Sequence, residues 1–253
     1  MRFQLSKKEL FYRVRDLDWL LSQVSRQAME IWDLAAPTEF ARLYRRVRPL
    51  TMCSNARLRG LYRAVHYIVA NKIPGDVVEC GTARGGSAAL MALAGKGLGD
   101  NRPVWAFDTF EGLPAPTSAD PDYEIANLYT GSCVGRIEEV QRALNDLGVA
   151  QQVRLVKGLF QETLPGAPLK SVALLHLDCD WYESVKFCLK TLYDKLSPGA
   201  VVQLDDYGHW QGARRAVDEF FQERGLVTKL QRIDYSGRQF IAPHANGQPA
   251  SLH

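Results

Sequence analysis

The stretch Asp76-Val77-Val78-Glu79-Cys80-Gly81-Thr82-Ala83-Arg84-Gly85-Gly86-Ser87-Ala88-Ala89-Leu90-Met91-Ala92-Leu93 changes character twice. It opens as a short β-branched strand, breaks into a glycine-rich turn at Gly81, and resumes at Ser87 as an apolar helix start. The same alternation continues downstream. Val104-Trp105-Ala106-Phe107 and Val153-Arg154-Leu155-Val156 predict the next two strands, and Val172–Leu177 a fourth. The fourth is the most continuous apolar run, which puts it at the centre of a sheet. A helix is predicted over Tyr182–Leu196, ended by Ser197-Pro198-Gly199, followed by a strand over Ala200–Leu204 and a helix over Gly212–Arg224. Leu226–Ile233 and Arg238–Ala242 read as two closing strands about the turn Asp234-Tyr235-Ser236-Gly237. The fold class is therefore α/β, with a mostly parallel sheet covered on both faces and an antiparallel pair at one edge.

The rest of the chain bounds this reading. Its 253 residues are 46% hydrophobic and 23% charged, enough to bury a core without disulfide or metal staples. With 31 basic and 28 acidic residues the net charge is only +3, which argues for neither nucleic acid nor a membrane surface as partner. Five cysteines, an odd number with no C-x-x-C pair, read as reduced thiols of a cytoplasmic protein. No apolar signal core follows Met1, and no apolar stretch approaches a bilayer span. Leu10, Val14, Leu17, Leu21, Val24 and Ala28 lay one apolar stripe along a helix. That helix either packs on its own domain or pairs with a second copy. The domain reading is thus a helical N-terminal extension over 1–50 and an α/β domain over 51–253. Residues 111–135 are the one long connection, rich in Pro and Gly, as in a lid or binding loop.

In an open parallel sheet, ligands bind beyond the carboxyl ends of the strands. The first turn, Glu79 to Gly86, lets backbone approach a ligand at a helix N-terminus. It is not G-x-G-x-x-G, because Ala83 occupies the second glycine's place, and this weakens a dinucleotide reading. Glu79 would repel a phosphate but suits an ammonium group. Asp108, at the end of the second strand, is where a carboxylate accepts ribose hydroxyls. Glu79, the glycine turn and Asp108 together fit a nucleoside with an amino-acid tail, the shape of S-adenosylmethionine. Asp178-Cys179-Asp180 and Asp205-Asp206 end two neighbouring strands. Four such carboxylates need compensation, and an all-oxygen set favours Mg²⁺, Ca²⁺ or Mn²⁺. A helix N-cap accounts for Asp178 or Asp180 singly, but not for all four.

Several strings carry a resemblance. Thr51-Met52, Arg57, Pro74-Gly75-Asp76, Glu79-Cys80-Gly81, Arg84-Gly85-Gly86 and Phe107-Asp108-Thr109-Phe110-Glu111-Gly112-Leu113-Pro114 are joined by Leu177-Asp178-Cys179-Asp180 with Tyr182 and Ser184, and by Asp205-Asp206-Tyr207-Gly208 with Gly212. From about Thr51 to Phe221 the chain resembles the macrolide and aminocoumarin sugar O-methyltransferases of the macrocin and novobiocin type. These are metal-dependent S-adenosylmethionine enzymes of the class I methyltransferase fold. The resemblance implies a Rossmann-like seven-stranded sheet and a hydroxyl of a small molecule as acceptor, most readily a sugar of a glycosylated natural product. It makes Asp178, Asp205 and Asp206 ligands to Mg²⁺ and Asp180 the general base. Thr51, Met52, Glu79, Gly81, Arg84, Ser87 and Asp108 become cofactor contacts, with Gly158 and Phe160 near the adenine. Tyr207, His209 and Trp210 would line the acceptor pocket, and His209 is a competing base. Trp181 and Tyr182 are either acceptor-side aromatics or core, and His176, inside an apolar strand, is a packed core residue. Ala83 departs from the family, which often carries an aromatic there. A homodimer or higher homo-oligomer is expected. The competing readings are a D-x-D nucleotide-sugar glycosyltransferase, which has no use for Glu79, a catechol-type phenol methyltransferase, and a non-catalytic binding module, which has no need of four aspartates.

Overall fold

The computed structural model describes residues 27 and 29–243. The stripe from Leu10 to Ala28 lies outside the described residues. Helix α1 (Glu39–Val47) is capped by Thr38, whose hydroxyl accepts from the Ala41 amide at 3.2 Å. Helix α2 (Asn55–Ala70) is capped in the same way by Ser54, on the Arg57 amide. Then follow β1 (Asp76–Cys80), α3 (Gly86–Gly97), β2 (Val104–Asp108), α4 (Ile137–Leu147), β3 (Val153–Lys157), β4 (Val172–Leu177), α5 (Tyr182–Leu192), β5 (Leu196–Leu204), α6 (Gln211–Glu223), β6 (Gln231–Arg232) and β7 (Arg238–Ile241). The seven strands form one sheet in the order β3-β2-β1-β4-β5-β7-β6. β1 to β5 pair in parallel, and β7 runs antiparallel to both β5 and β6.

Side chains alternate across each strand, so the sheet carries two cores. On one face Val77, Ala106, Leu174 and Val201 pack under α1, α2 and α3, through Phe40, Leu58, Leu61 and Leu90. On the other, Val78, Phe107, Leu175 and Val202 meet α5 and α6 at Leu189, Leu192, Val217 and Phe220. Helix α1 therefore belongs to the main core although it precedes Thr51. Among the described residues no helix is long and apolar enough to cross a membrane.

Two boundaries differ from the sequence reading. Ser197-Pro198-Gly199 does not end a helix: α5 stops at Leu192, a 3₁₀ turn spans Tyr193–Lys195, and β5 begins at Leu196. The register between β4 and β5 jumps across this segment, and proline, lacking an N–H, is tolerated at such an irregularity. The hairpin forms, but β6 is only two residues long. Leu226 and Leu230 pack on the second core instead of extending the ladder. Asp234 closes the turn, its Oδ1 accepting from the Ser236 and Gly237 amides at 3.0 and 2.7 Å.

The long connection after β2 is tied down. Leu113 and Gly131 hydrogen-bond across its neck, Trp181 Nε1 donates to the Pro114 carbonyl, and buried Asp120 accepts from the Tyr182 amide. It stands as an ordered wall over the carboxyl ends of the strands.

Candidate active site

A cavity of about 1230 Å³ opens at those carboxyl ends. Gly81 follows β1, Asp108 ends β2, Gly158 and Phe160 follow β3, Asp178 and Asp180 follow β4, and Asp206 follows β5; all of them line it. Met52, Trp181, His209 and Trp210 also reach the cavity. Gly81 is needed for the approach of β1 to β4. Its φ is +94°, and a Cβ there would lie 1.8 Å from the Asp178 carbonyl oxygen.

The other predicted residues sit elsewhere. Thr51 packs against Gly86 at the start of α3, Ser87 is buried in that helix, and Arg84 is exposed on the turn. Tyr207 turns outward. Its hydroxyl donates to Asp218, and its ring lies beneath Arg214 and Arg238. Glu79 and Asp205 are fully buried behind the cavity wall. Asp108 uses both carboxylate oxygens on backbone: Oδ2 accepts from Thr82 N and Ala83 N at 2.8 Å, and Oδ1 from Phe110 N at 2.7 Å. It thereby shapes the glycine turn, with lone pairs to spare for a ligand.

The aspartates carry the electrostatics. Burial raises Asp178 well above the usual carboxyl range, with the Asp205 and Asp206 charges adding to it. Asp206 is raised in the same way by burial, Asp180 and Asp205. Burial, then Asp178, pushes Asp180 up to about 8. Its Oδ1 accepts from Trp210 Nε1 at 2.8 Å, and its own amide donates to Asp206 Oδ2 at 3.0 Å. Asp205 goes the other way. Burial works against its charge, but Arg57 and His176 hold it well below the usual range. Arg57 Nη1 lies 2.5 Å from Asp205 Oδ2.

Residues with no sequence signal complete the cluster. Cys53 Sγ sits 3.4 Å from Asp178 Oδ2 and 3.3 Å from Asp205 Oδ2. Burial, then these carboxylates, keep it a thiol. One ligand atom each of Cys53, His176, Asp178 and Asp205 fall within 4.8 Å of one another. The two buried carboxylates of this group, Asp178 disfavoured as an anion and Asp205 held as one, have the donor chemistry a divalent cation satisfies. Two buried oxygens at the first turn, Glu79 Oε2 and Thr82 Oγ1, have no hydrogen-bond partner. Oxygens of this kind suit the ammonium and hydroxyl donors of an amino-acid nucleoside. Trp210 packs edge-on against Trp181 and Tyr129, with ring centroids 5.0 and 5.4 Å apart. This makes an aromatic wall.

The family described as macrocin-O-methyltransferase (TylF) matches residues 10–241, beyond both ends of the stretch that carried the resemblance. The 8-demethyl-8-(2,3-dimethoxy-alpha-L-rhamnosyl)-tetracenomycin-C 4'-O-methyltransferase of Streptomyces olivaceus is 36% identical over 210 residues, covering 80% of each chain. Demethyldecarbamoylnovobiocin O-methyltransferase of Streptomyces niveus is 36% identical over 194 residues, 74% of this chain and 73% of its own. Among solved structures the O-methyltransferase NovP superposes with a TM-score of 0.71 at 32% identity, over 77% of this chain and 83% of its own.

Proposed function

The chain belongs to the macrocin-O-methyltransferase family, and from that premise we propose that it methylates a sugar hydroxyl of a glycosylated natural product, using S-adenosylmethionine and Mg²⁺. The observation that carries the reading is the convergence of Asp178, Asp180 and Asp206 on a cavity that the glycine turn also lines. When bound, S-adenosylmethionine supplies a sulfonium methyl, and a divalent cation supplies charge that makes the acceptor hydroxyl more acidic.

The protein's part is binding, orientation and one proton. Glu79 and Gly81 receive the amino-acid end, Asp108 the ribose, and Gly158 and Phe160 the adenine. Asp178, Asp205 and Asp206 hold the cation. The Trp181–Trp210 wall takes the apolar face of a sugar ring, which restrains the acceptor oxygen in line with the methyl. Asp180 accepts the hydroxyl proton on Oδ2, while Trp210 Nε1 fixes Oδ1. A carboxylate within hydrogen-bond reach of the hydroxyl is suited to take its proton. His209, on the same wall, is the alternative base. A cytoplasmic location is in keeping with five free thiols. Homodimer formation is in keeping with exposed Ile31 and Trp32 on the helical residues 29–35.

The test is transfer of labelled methyl from S-adenosylmethionine to a panel of glycosylated and phenolic acceptors, with and without EDTA. Incorporation into a sugar hydroxyl, abolished by EDTA and restored by Mg²⁺, is expected. Transfer confined to phenols, or indifferent to EDTA, would overturn the acceptor or the metal respectively.

A further inference from the structure

The roles above give Glu79 to the cofactor and Asp205 to the cation, and these two carboxylates meet on one side chain, His176. His176 lies inside β4, in register with Glu79 on β1 and Gln203 on β5. Its Nδ1 is 2.9 Å from Glu79 Oε1, and its Nε2 is 3.0 Å from Asp205 Oδ1. All three side chains are fully buried. The sequence reading placed His176 in the core; it is in the core, but as a bridge rather than as packing.

Asp205 Oδ2 meets Arg57 and Cys53, and Gln203 Nε2 shares Oδ1 at 3.0 Å. Asp205 is therefore fixed from three sides. Glu79 Oε2 has no partner although it is buried. An unsatisfied buried oxygen is costly unless a ligand supplies the donor. The imidazole ring is rigid and touches both carboxylates at once. A shift of Glu79 toward a ligand is thus transmitted through one ring to Asp205.

We propose that His176 is a positioning residue that ties the cofactor-facing carboxylate of Glu79 to the metal-facing carboxylate of Asp205, so that occupancy at either ligand site changes affinity at the other. The inference rests on the functional reading above. Thermodynamic reciprocity requires the two effects to be equal.

Two titrations test it on the full chain: calorimetry of S-adenosylhomocysteine with and without Mg²⁺, and Mn²⁺ binding followed by the resonance of the free ion. In the wild type, Mg²⁺ should change the S-adenosylhomocysteine Kd by at least about fivefold. His176→Gln can donate to one carboxylate but presents its carbonyl to the other. It is expected to weaken S-adenosylhomocysteine and Mn²⁺ by about tenfold each and to erase the coupling. A merely structural role would lower Tm without this paired loss. A folded His176→Gln protein with wild-type affinities, or with only one of them weakened, overturns the proposal. Should that variant not fold, Glu79→Gln serves: Mn²⁺ binding is expected to weaken several-fold, and an unchanged Mn²⁺ affinity refutes the link. Wild-type protein that binds both ligands without coupling sinks this proposal alone. Wild-type protein that binds neither sinks the functional reading and the proposal with it.

Discussion

Asp180 holds its place at a backbone cost. Its φ is +58°, and Ala83, Phe110 and Cys133 share that left-handed region at +44°, +57° and +61°. Each costs a non-glycine residue roughly 1–2 kcal/mol, and all but Phe110 line the cavity. Such strain persists where the surrounding structure over-determines a conformation, as Trp210 and Asp206 do for Asp180. Asparagine tolerates this backbone, so Asp180→Asn should keep the geometry and lose only the base. It is expected to lower kcat by about 10²–10⁴-fold with little change in S-adenosylhomocysteine affinity. Retention of kcat within threefold would move the base to His209. At this scale legibility follows a simple physical line. Gly81, Asp108, Asp178, Asp180 and Asp206 could be read because topology sends every parallel strand's end to one edge of the sheet. Cys53, Arg57 and His176 acquire their roles only by packing, Cys53 against an aspartate 125 positions away. Tyr207 misleads for the same reason: it follows Asp206 in sequence, but the turn swings it outward to Asp218.

Elements fix where those residues arrive. The β1–α3 turn works because Gly81 has no Cβ, and Gly81→Ala forces a shift of the Asp178 backbone. The substitution combines an unfavourable φ with a backbone clash. It is expected to destabilise by about 2–4 kcal/mol in urea unfolding and to weaken S-adenosylhomocysteine binding through the displaced Asp178. Helices α5 and α6 are clamped to each other. Lys186, Tyr182 and Arg215 all bond Glu219, and together, Lys186 foremost, they lower its pKa from 4.5 to about 2. A carboxylate depressed on folding stabilises above its unfolded pKa, and that contribution is lost as pH falls through the folded value. Glu219→Gln should therefore be less stable than wild type at neutral pH, with the gap closing between pH 4.5 and about 2. The group is partly solvated, so the gap is small, and equal stability of the two proteins at pH 7 would remove the clamp from the account. The elements themselves were legible wherever hydrophobic period and punctuation agreed, as in β1, β2 and β4. They were not where Pro198 acts as a bulge inside a strand rather than as a helix stop, because both contexts exploit the same missing N–H.

At the scale of the molecule, two apolar cores hold the sheet while its polar edge is left electrostatically unbalanced. Burial and like charge raise Asp178 and Asp206, so the uncomplexed protein carries carboxylates that favour a less charged state. Such carboxylates carry an electrostatic cost that a bound cation would offset. Two stability effects follow. Asp178→Asn removes one of the repelling charges and should raise the Tm of the metal-free protein by roughly a few degrees. In wild type, Mg²⁺ at ten times its Kd should add about 1.4 kcal/mol, a rise in Tm of about 3–6 °C. In Asp178→Asn that rise should vanish together with methyl transfer. Differential scanning calorimetry of both proteins with and without Mg²⁺ decides the matter. A variant that is less stable than wild type without metal, or that still gains stability from Mg²⁺, would show that Asp178 is held by the fold for a reason other than the cation.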